Sequence, residues 1–401
     1  MAASANSSAP SQPGQFVASS TLKTVYSVFI LIGVLAFALG LMKDQERIWH
    51  SFLVSFFFFT SLGLGGTFFL AINHAAGAGW SVNIRRFPEA MASFLPIAAV
   101  GGLVLLFGAH HLYEWLDAKA VAQDYILQGK ASYLNGTFFA IRVILFFGLW
   151  LLFAGKMVGN SVQQDQTGAD SFTNNNLKLG VIFLLVFALS YSLFGVDTMM
   201  SLQPHWYSTM FGVYCFAGLF QSSLAFITIL TVFMMKKGLL RGLVNENHLH
   251  DMGKYMMAFT IFYAYIAFSQ YMLIWYANLP EETIFYLNRS NGPWMAVSLS
   301  LVFFKFAIPF LLLLPKAAKR TPSHLVMVAS LILVMQVVDD YWLVYPNLNN
   351  NQILLSWQEV GVFLGFLGLF LWSLVRFLST HNLVPIRDPR REESIHHEVV
   401  Y

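Results

Sequence analysis

Residues 192–214 read Ser192-Leu193-Phe194-Gly195-Val196-Asp197-Thr198-Met199-Met200-Ser201-Leu202-Gln203-Pro204-His205-Trp206-Tyr207-Ser208-Thr209-Met210-Phe211-Gly212-Val213-Tyr214. One long apolar run ends in this stretch and another begins. Only about eight residues separate the two runs, a connection so short that their helices must be antiparallel neighbours. Asp197, Gln203, Pro204, His205 and Trp206 lie at this join, so a carboxylate and an imidazole sit at one membrane interface. The stretch reads as the seam between two halves of the chain and as part of the polar mouth of a site.

Outward from the seam, the composition is that of a membrane protein. The chain is 57% hydrophobic and 11% charged, whereas soluble domains carry about 25% charged residues. The net charge of +3 is scattered among loops and points to no nucleic-acid partner. The single cysteine, Cys215, excludes internal disulfides, Cys-ligated clusters and covalent c-type haem in this chain. It reads as a small apolar side chain in a helix. Residues 1–20 are small and polar with no basic stretch, which predicts a disordered tail and not a cleaved signal. Residues 381–401 read as a second polar tail.

Ten segments are long and apolar enough to cross a bilayer. They run at about 23–42, 48–72, 88–112, 135–156, 177–198, 206–235, 253–278, 293–314, 323–345 and 356–378. Ten crossings put both termini on one side. That side collects most of the lysines and arginines, from Lys23 to Arg391, while the other holds only Lys43, Arg47, Lys119, Lys130 and Arg289. The positive-inside rule therefore predicts cytoplasmic termini.

Weak signals recur in register. Trp49-His50-Ser51 opens span 2 and His205-Trp206-Tyr207-Ser208 opens span 6. Tyr133-Leu134-Asn135 precedes span 4 and Tyr286-Leu287-Asn288 precedes span 8. Spans 4 and 8 carry Arg142 and Lys305; spans 5 and 9 end with Asp197 and with Asp339-Asp340. An even number of spans per repeat gives parallel copies about an axis along the membrane normal. The expected fold is all-α and integral to the membrane, a single ten-span domain over 21–380. Two pseudo-repeated four-helix bundles, spans 2–5 (about 48–198) and 6–9 (about 206–345), are flanked by spans 1 and 10.

Ionisable groups within a bilayer cost several kcal/mol unless paired or hydrated. Arg142 and Asp197 belong to the same outer half of the first bundle, and a salt bridge would resolve their burial. His110, His111, Tyr113, Glu114 and Asp117 gather at the outer end of span 3, with His50 and His205 at the same level. The second bundle offers Gln270, Tyr271, Lys305, Asp339 and Asp340. Lys305 lies about 18 Å along its helix from Pro293, near the midplane. Carboxylates and imidazoles so placed can take protons from a hydroquinone. The bland alternative is that helix-end groups face water or headgroups. Trp49, Trp206, Trp275, Trp294, Trp342 and Trp357 read as an interfacial belt; Asn73, His74 and Glu89 near the inner ends of spans 2 and 3 read as the start of an inner proton path or, more simply, as exposed interface residues. The histidines lie at span ends, in loops or in the tail, an arrangement that argues against an intrinsic haem, and there is no metal-ligand cluster. No residue reads as catalytic in its own right.

The seam run Gly195–Thr209 resembles the central signature of the F subunit of bacterial alternative complex III, which belongs with the NrfD-like membrane subunits of polysulfide reductases. So does the run from Ala264 to Glu282, with Gln270-Tyr271 inside it. The resemblance implies a quinol:electron-acceptor oxidoreductase complex acting on a quinol such as menaquinol. Its implied partners are a sister NrfD-like subunit, an iron–sulfur subunit, c-type haem subunits, lipids and a terminal oxidase. Redox cofactors belong to those partners. The better-supported quinol site of the family belongs to the sister C subunit, so the resemblance implies a proton pathway, a share in quinol-site architecture without a redox cofactor of its own, or support of the assembly. Two other classes stay open on the residues: a secondary transporter with parallel repeats, and a purely structural scaffold.

Overall fold

The computed structural model describes residues 16–398, and among them every regular element is helical. Ten helices are long and apolar enough to cross a membrane. They are α1 (Ser20–Lys43), α2 (Gln45–Ala75), α3 (Arg86–His111), α4 (Gly136–Thr167), α5 (Asp170–Leu202), α6 (Phe211–Lys236), α7 (Glu246–Ala277), α8 (Trp294–Leu313), α9 (Pro322–Leu348) and α10 (Trp357–Thr380). Ten passes return the chain to the face on which it starts, here called the terminal face; the opposite one is the far face. The expected tail 1–20 falls outside the described residues as far as residue 15, while Phe16 is buried and Ser19 accepts a hydrogen bond from Leu22 N as the cap of α1.

Polar caps fix the helix ends. The Asn135 side chain accepts from Phe138 N at the start of α4 (2.9 Å), and Gly168, at φ 71°, closes α4 in the left-handed region where a Cβ is costly. Ser356 and Glu359 form a capping box at α10. Span 4 proves longer than expected, since α4 runs to Thr167. Span 6 starts later than expected, at Phe211: residues 203–210 form an irregular loop behind Pro204, which has no N–H to give to a helix.

Within each half, four helices close a ring. α2 packs on α3 and α5, and α4 on α3 and α5; likewise α6 packs on α7 and α9, and α8 on α7 and α9. Across the seam α2 meets α6, α5 meets α6, and α2 meets α9, which is the contact pattern of two copies about an axis through α2 and α6. Gly65 lets those two helices approach: a Cβ there would stand 2.6 Å from Ser223 Cβ. α2 is therefore the buried axis of the molecule, with Phe56, Phe57, Phe59 and Phe69 at 2% exposure or less. The flanking helices both serve the first half, for α1 lies along α10 and α10 packs on α2 and α3.

One expectation is corrected. Of the six tryptophans read as a belt, only Trp275 and Trp357 are exposed. Trp206, Trp294 and Trp342 are buried with their indole N–H groups donated to Glu282 O, Asn349 O and Ser298 Oγ, and Trp49 packs edge-on against Phe37 and Phe52. Residues 381–398, the described part of the expected polar tail, lie against the terminal face. Ile386 N donates to Asp165 Oδ1 (2.9 Å), Asp388 pairs with Arg85, Ser394 Oγ donates to Trp80 O (2.8 Å) and His397 meets Asp251 (2.6 Å). This strap crosses from the first bundle to the second.

Candidate functional site

The deepest polar cluster is built around Lys305. α8 is not a regular helix there: residues Leu301–Ala307 form a π-helical segment, followed by Pro309. A π-turn inserts an extra residue per turn and re-aims side chains, a device frequent at functional sites. Lys305 is 0% exposed, about 16 Å along its helix from Trp294 and about 12 Å from Leu313. Its ammonium lies 2.5 Å from Asp339 Oδ2 and 2.8 Å from Gln336 Oε1, over the face of Tyr263 at 3.8 Å from the ring centre. The other Asp339 oxygen accepts from Tyr214 OH, which is 3.0 Å from Tyr263 OH. Gln336 Nε2 donates to Asp340 Oδ1 (3.0 Å), leaving Asp340 Oδ2 buried with no protein partner among the described residues. The result is a polar thread, Tyr263–Tyr214–Asp339–Lys305–Gln336–Asp340, in the middle of the second bundle.

The first bundle holds one ion pair between its corresponding helices. Arg142 Nε donates to Asp197 Oδ2 (2.6 Å) and Nη1 to Tyr133 O (3.0 Å), and the guanidinium lies 4.0 Å from the Tyr133 ring centre. Both side chains are buried, but near the far face, since Asp197 is in the last turn before Thr198. Asp197 Oδ1, Arg142 Nη2 and Tyr133 OH find no hydrogen-bond partner among the described residues. Burial and the nearby Asp197 charge push the Tyr133 phenol up to about 12. The expected Arg142–Asp197 pairing is present, and Arg142 and Lys305 occupy corresponding helices, with Lys305 the deeper of the two as expected.

At the terminal face a third cluster replaces the exposed residues expected there. Arg86, fully buried, pairs with Glu89 and with Asp165 (2.5 Å), and Arg86 Nη1 donates to Ser161 Oγ (3.2 Å). Glu89 and His74 are buried; Asn73 is half-buried and spends its amide on Phe69 O. Glu89 Oε1 has no partner among the described residues.

The remaining sequence candidates disperse. His110 and Glu114 are exposed at the far face, as is Asp117, whereas Tyr113 is buried with its hydroxyl donated to Thr198 O (2.9 Å). His205 pairs with Asp124 on the loop between α3 and α4, away from Asp197's ion pair; that hydrogen bond holds Asp124 below its ordinary value. Gln270 is buried and bridges Ser208 Oγ (3.0 Å) and Tyr286 OH (3.2 Å), while Tyr271 is 44% exposed with its ring edge-on to Tyr286. His50 is buried against Glu46 O. Tyr214, Tyr263 and Gln336 escaped the sequence reading. Gln336 and Asp340 carry a local signal, the i,i+4 spacing of one helix face, whereas the tyrosines are distinguished from their aromatic neighbours only by the fold.

Arg289 is the other surprise. Read as an outer-loop charge, it is 1% exposed in the short helix Pro280–Ser290 and has no carboxylate partner among the described residues. It donates to Trp342 O (3.0 Å), Leu343 O (2.8 Å) and Phe285 O (3.0 Å). Pro346 lies inside α9 and cannot bond back to Trp342 O, four residues earlier, so Arg289 supplies the donor that the proline lacks. Burial draws its guanidinium down to about 9, which leaves it charged at neutral pH. No family model matches the chain, and no curated protein matches it.

Proposed function

We propose that this chain is a membrane subunit of a respiratory quinol-oxidising complex and moves protons beside redox centres held by its partners. The observation that supports this most is the Lys305–Asp339 pair, sealed at mid-membrane and extended by Tyr214 on one side and Gln336–Asp340 on the other. Fixed charges so deep are costly and mark ion or proton paths. Asp339 can pass a proton to or from Lys305, and Asp340 Oδ2, buried with no protein partner among the described residues, is a further acceptor beside the pair. The resemblance of Gly195–Thr209 and Ala264–Glu282 to the alternative complex III membrane protein supplies the setting: a bacterial inner membrane, cytoplasmic termini by charge bias, and haem- and iron–sulfur-bearing partners.

Purification with native neighbours tests the setting; haem absorbance should accompany the chain, and a chain that comes alone overturns it. Asp339→Asn tests the role. Proton uptake coupled to quinol oxidation should fall while quinol oxidation by the uncoupled complex persists; unchanged uptake would leave a scaffold. A secondary transporter is the second reading, favoured by the interruption of α8 at Lys305. Its counterpart α4 is one unbroken helix, against the matched breaks such transporters use.

A further inference from the structure

A cleft of about 370 Å³ lies between α10 and the second bundle, in the half nearer the far face. Val337 and Val338 of α9 form one wall, Val360 and Leu364 of α10 the other; Val54 of α2 is the floor and Leu355, before α10, the roof. The cleft exists because α10 packs on α1, α2 and α3, leaving space beside α9. Val360 and Leu355 are 49% and 70% exposed, so its lip reaches the lipid-facing surface.

Five polar side chains border the cleft, and their hydrogen bonds are already spent: Ser55 Oγ donates to Ser51 O (3.0 Å) and Tyr341 OH to Leu354 O (2.6 Å). Ser51 Oγ and Tyr345 OH are 2.7 Å apart, Tyr345 OH donates to Glu359 Oε1 (2.8 Å), and Arg47 donates to both oxygens of Glu359 (2.7 and 3.0 Å). What faces the space is carbon. Ordered water needs two to four polar partners and finds none there. A quinone ring or a lipid headgroup would bury its oxygens unpaired, at a cost of a few kcal/mol each. A flexible hydrocarbon chain satisfies every one of these limits.

We propose that this cleft holds one hydrocarbon chain of a bilayer lipid, wedged between α10 and the second bundle and completing the packing that α10 lacks on that side. The protein reconstituted into bilayers of phosphatidylcholine with brominated acyl chains should show bromine density in the cleft. Native mass spectrometry of detergent-purified protein should find one tightly held lipid that Val338→Trp, filling the cleft, loses. Val360→Trp, at the exposed lip, should lose it too if the deeper variant fails to fold. The mass of the retained molecule separates a phospholipid from a prenyl lipid. An absence of bromine density, ordered water in the cleft, or equal lipid retention in wild type and a folded variant would overturn the proposal.

Discussion

Lys305 and Asp339 face each other at 2.5 Å although 34 residues separate them, and neither side chain is more than 1% exposed. Each is the reason the other can remain charged. Asp339→Leu alone strands an ammonium in apolar surroundings and should cost about 3–5 kcal/mol. Lys305→Met combined with Asp339→Leu should recover most of that loss, since an apolar pair of similar volume is near neutral. Thermal unfolding in detergent reads the stability, and proton uptake, which the double variant should lack, reads the role. A double variant no more stable than the single one would show that the pair matters through some other contact.

Arg142 meets Asp197 and Tyr133 O through two different nitrogens. A lysine carries the charge without the planar fork, so Arg142→Lys should lose one of those bonds. The expected cost is about 1–3 kcal/mol, read by denaturation. Equal stability would mean that charge alone suffices at this position.

Arg289 and Pro346 should be thermodynamically coupled. Arg289→Ala leaves Trp342 O without a donor, and Pro346→Ala restores the helix's own N–H to it. The damage from Arg289→Ala should therefore shrink by about 1 kcal/mol in the Pro346→Ala background. Strictly additive effects would remove the proline from the explanation.

The Asp124–His205 contact pins the loop between α3 and α4 to the seam. The lowered Asp124 value sets the sign: the pairing contributes fully above the ordinary carboxylate range and is lost as pH falls through the lowered value. Proteolysis or hydrogen exchange of residues 117–134 should rise on that acid limb in wild type. Asp124→Asn should already show the faster exchange near neutrality.

α1 and α10 meet through glycine. A Cβ on Gly365 would stand 2.7 Å from Gly33 Cα, and Gly361, Gly365 and Gly368 line the same contact. Gly365→Ala should loosen α1 from α10 and lower the unfolding temperature, with little effect on residues 305 and 339; cysteine cross-linking between the two helices reports it.

The legible part of the fold is the part that oil penalises. Twenty-residue apolar runs have one reading in a bilayer, so ten helices and the paired four-helix halves could be anticipated. Arg142 with Asp197 could be anticipated too, because two opposite charges at one depth need each other. The burial of Glu89 and Arg289 is not legible, because position near a span end says nothing of burial: a buried salt bridge and a proline four residues downstream of a carbonyl become visible only when distant helices are side by side. His205 and Tyr271 lie part-exposed near the far face, apart from the Lys305 cluster, a separation that sequence alone does not show.

The strap 381–398 carries a consequence for biogenesis. Its anchors, Asp165, Arg85, Trp80 and Asp251, are all synthesised well before it. Until the tenth helix has been inserted and the strap has emerged, Asp165 lacks the hydrogen bonds from Asn382 and Ile386, and Arg85 lacks Asp388. A nascent chain stalled before that point would present a wet, unlatched underside to the quality-control machinery, whatever the state of its ten crossings.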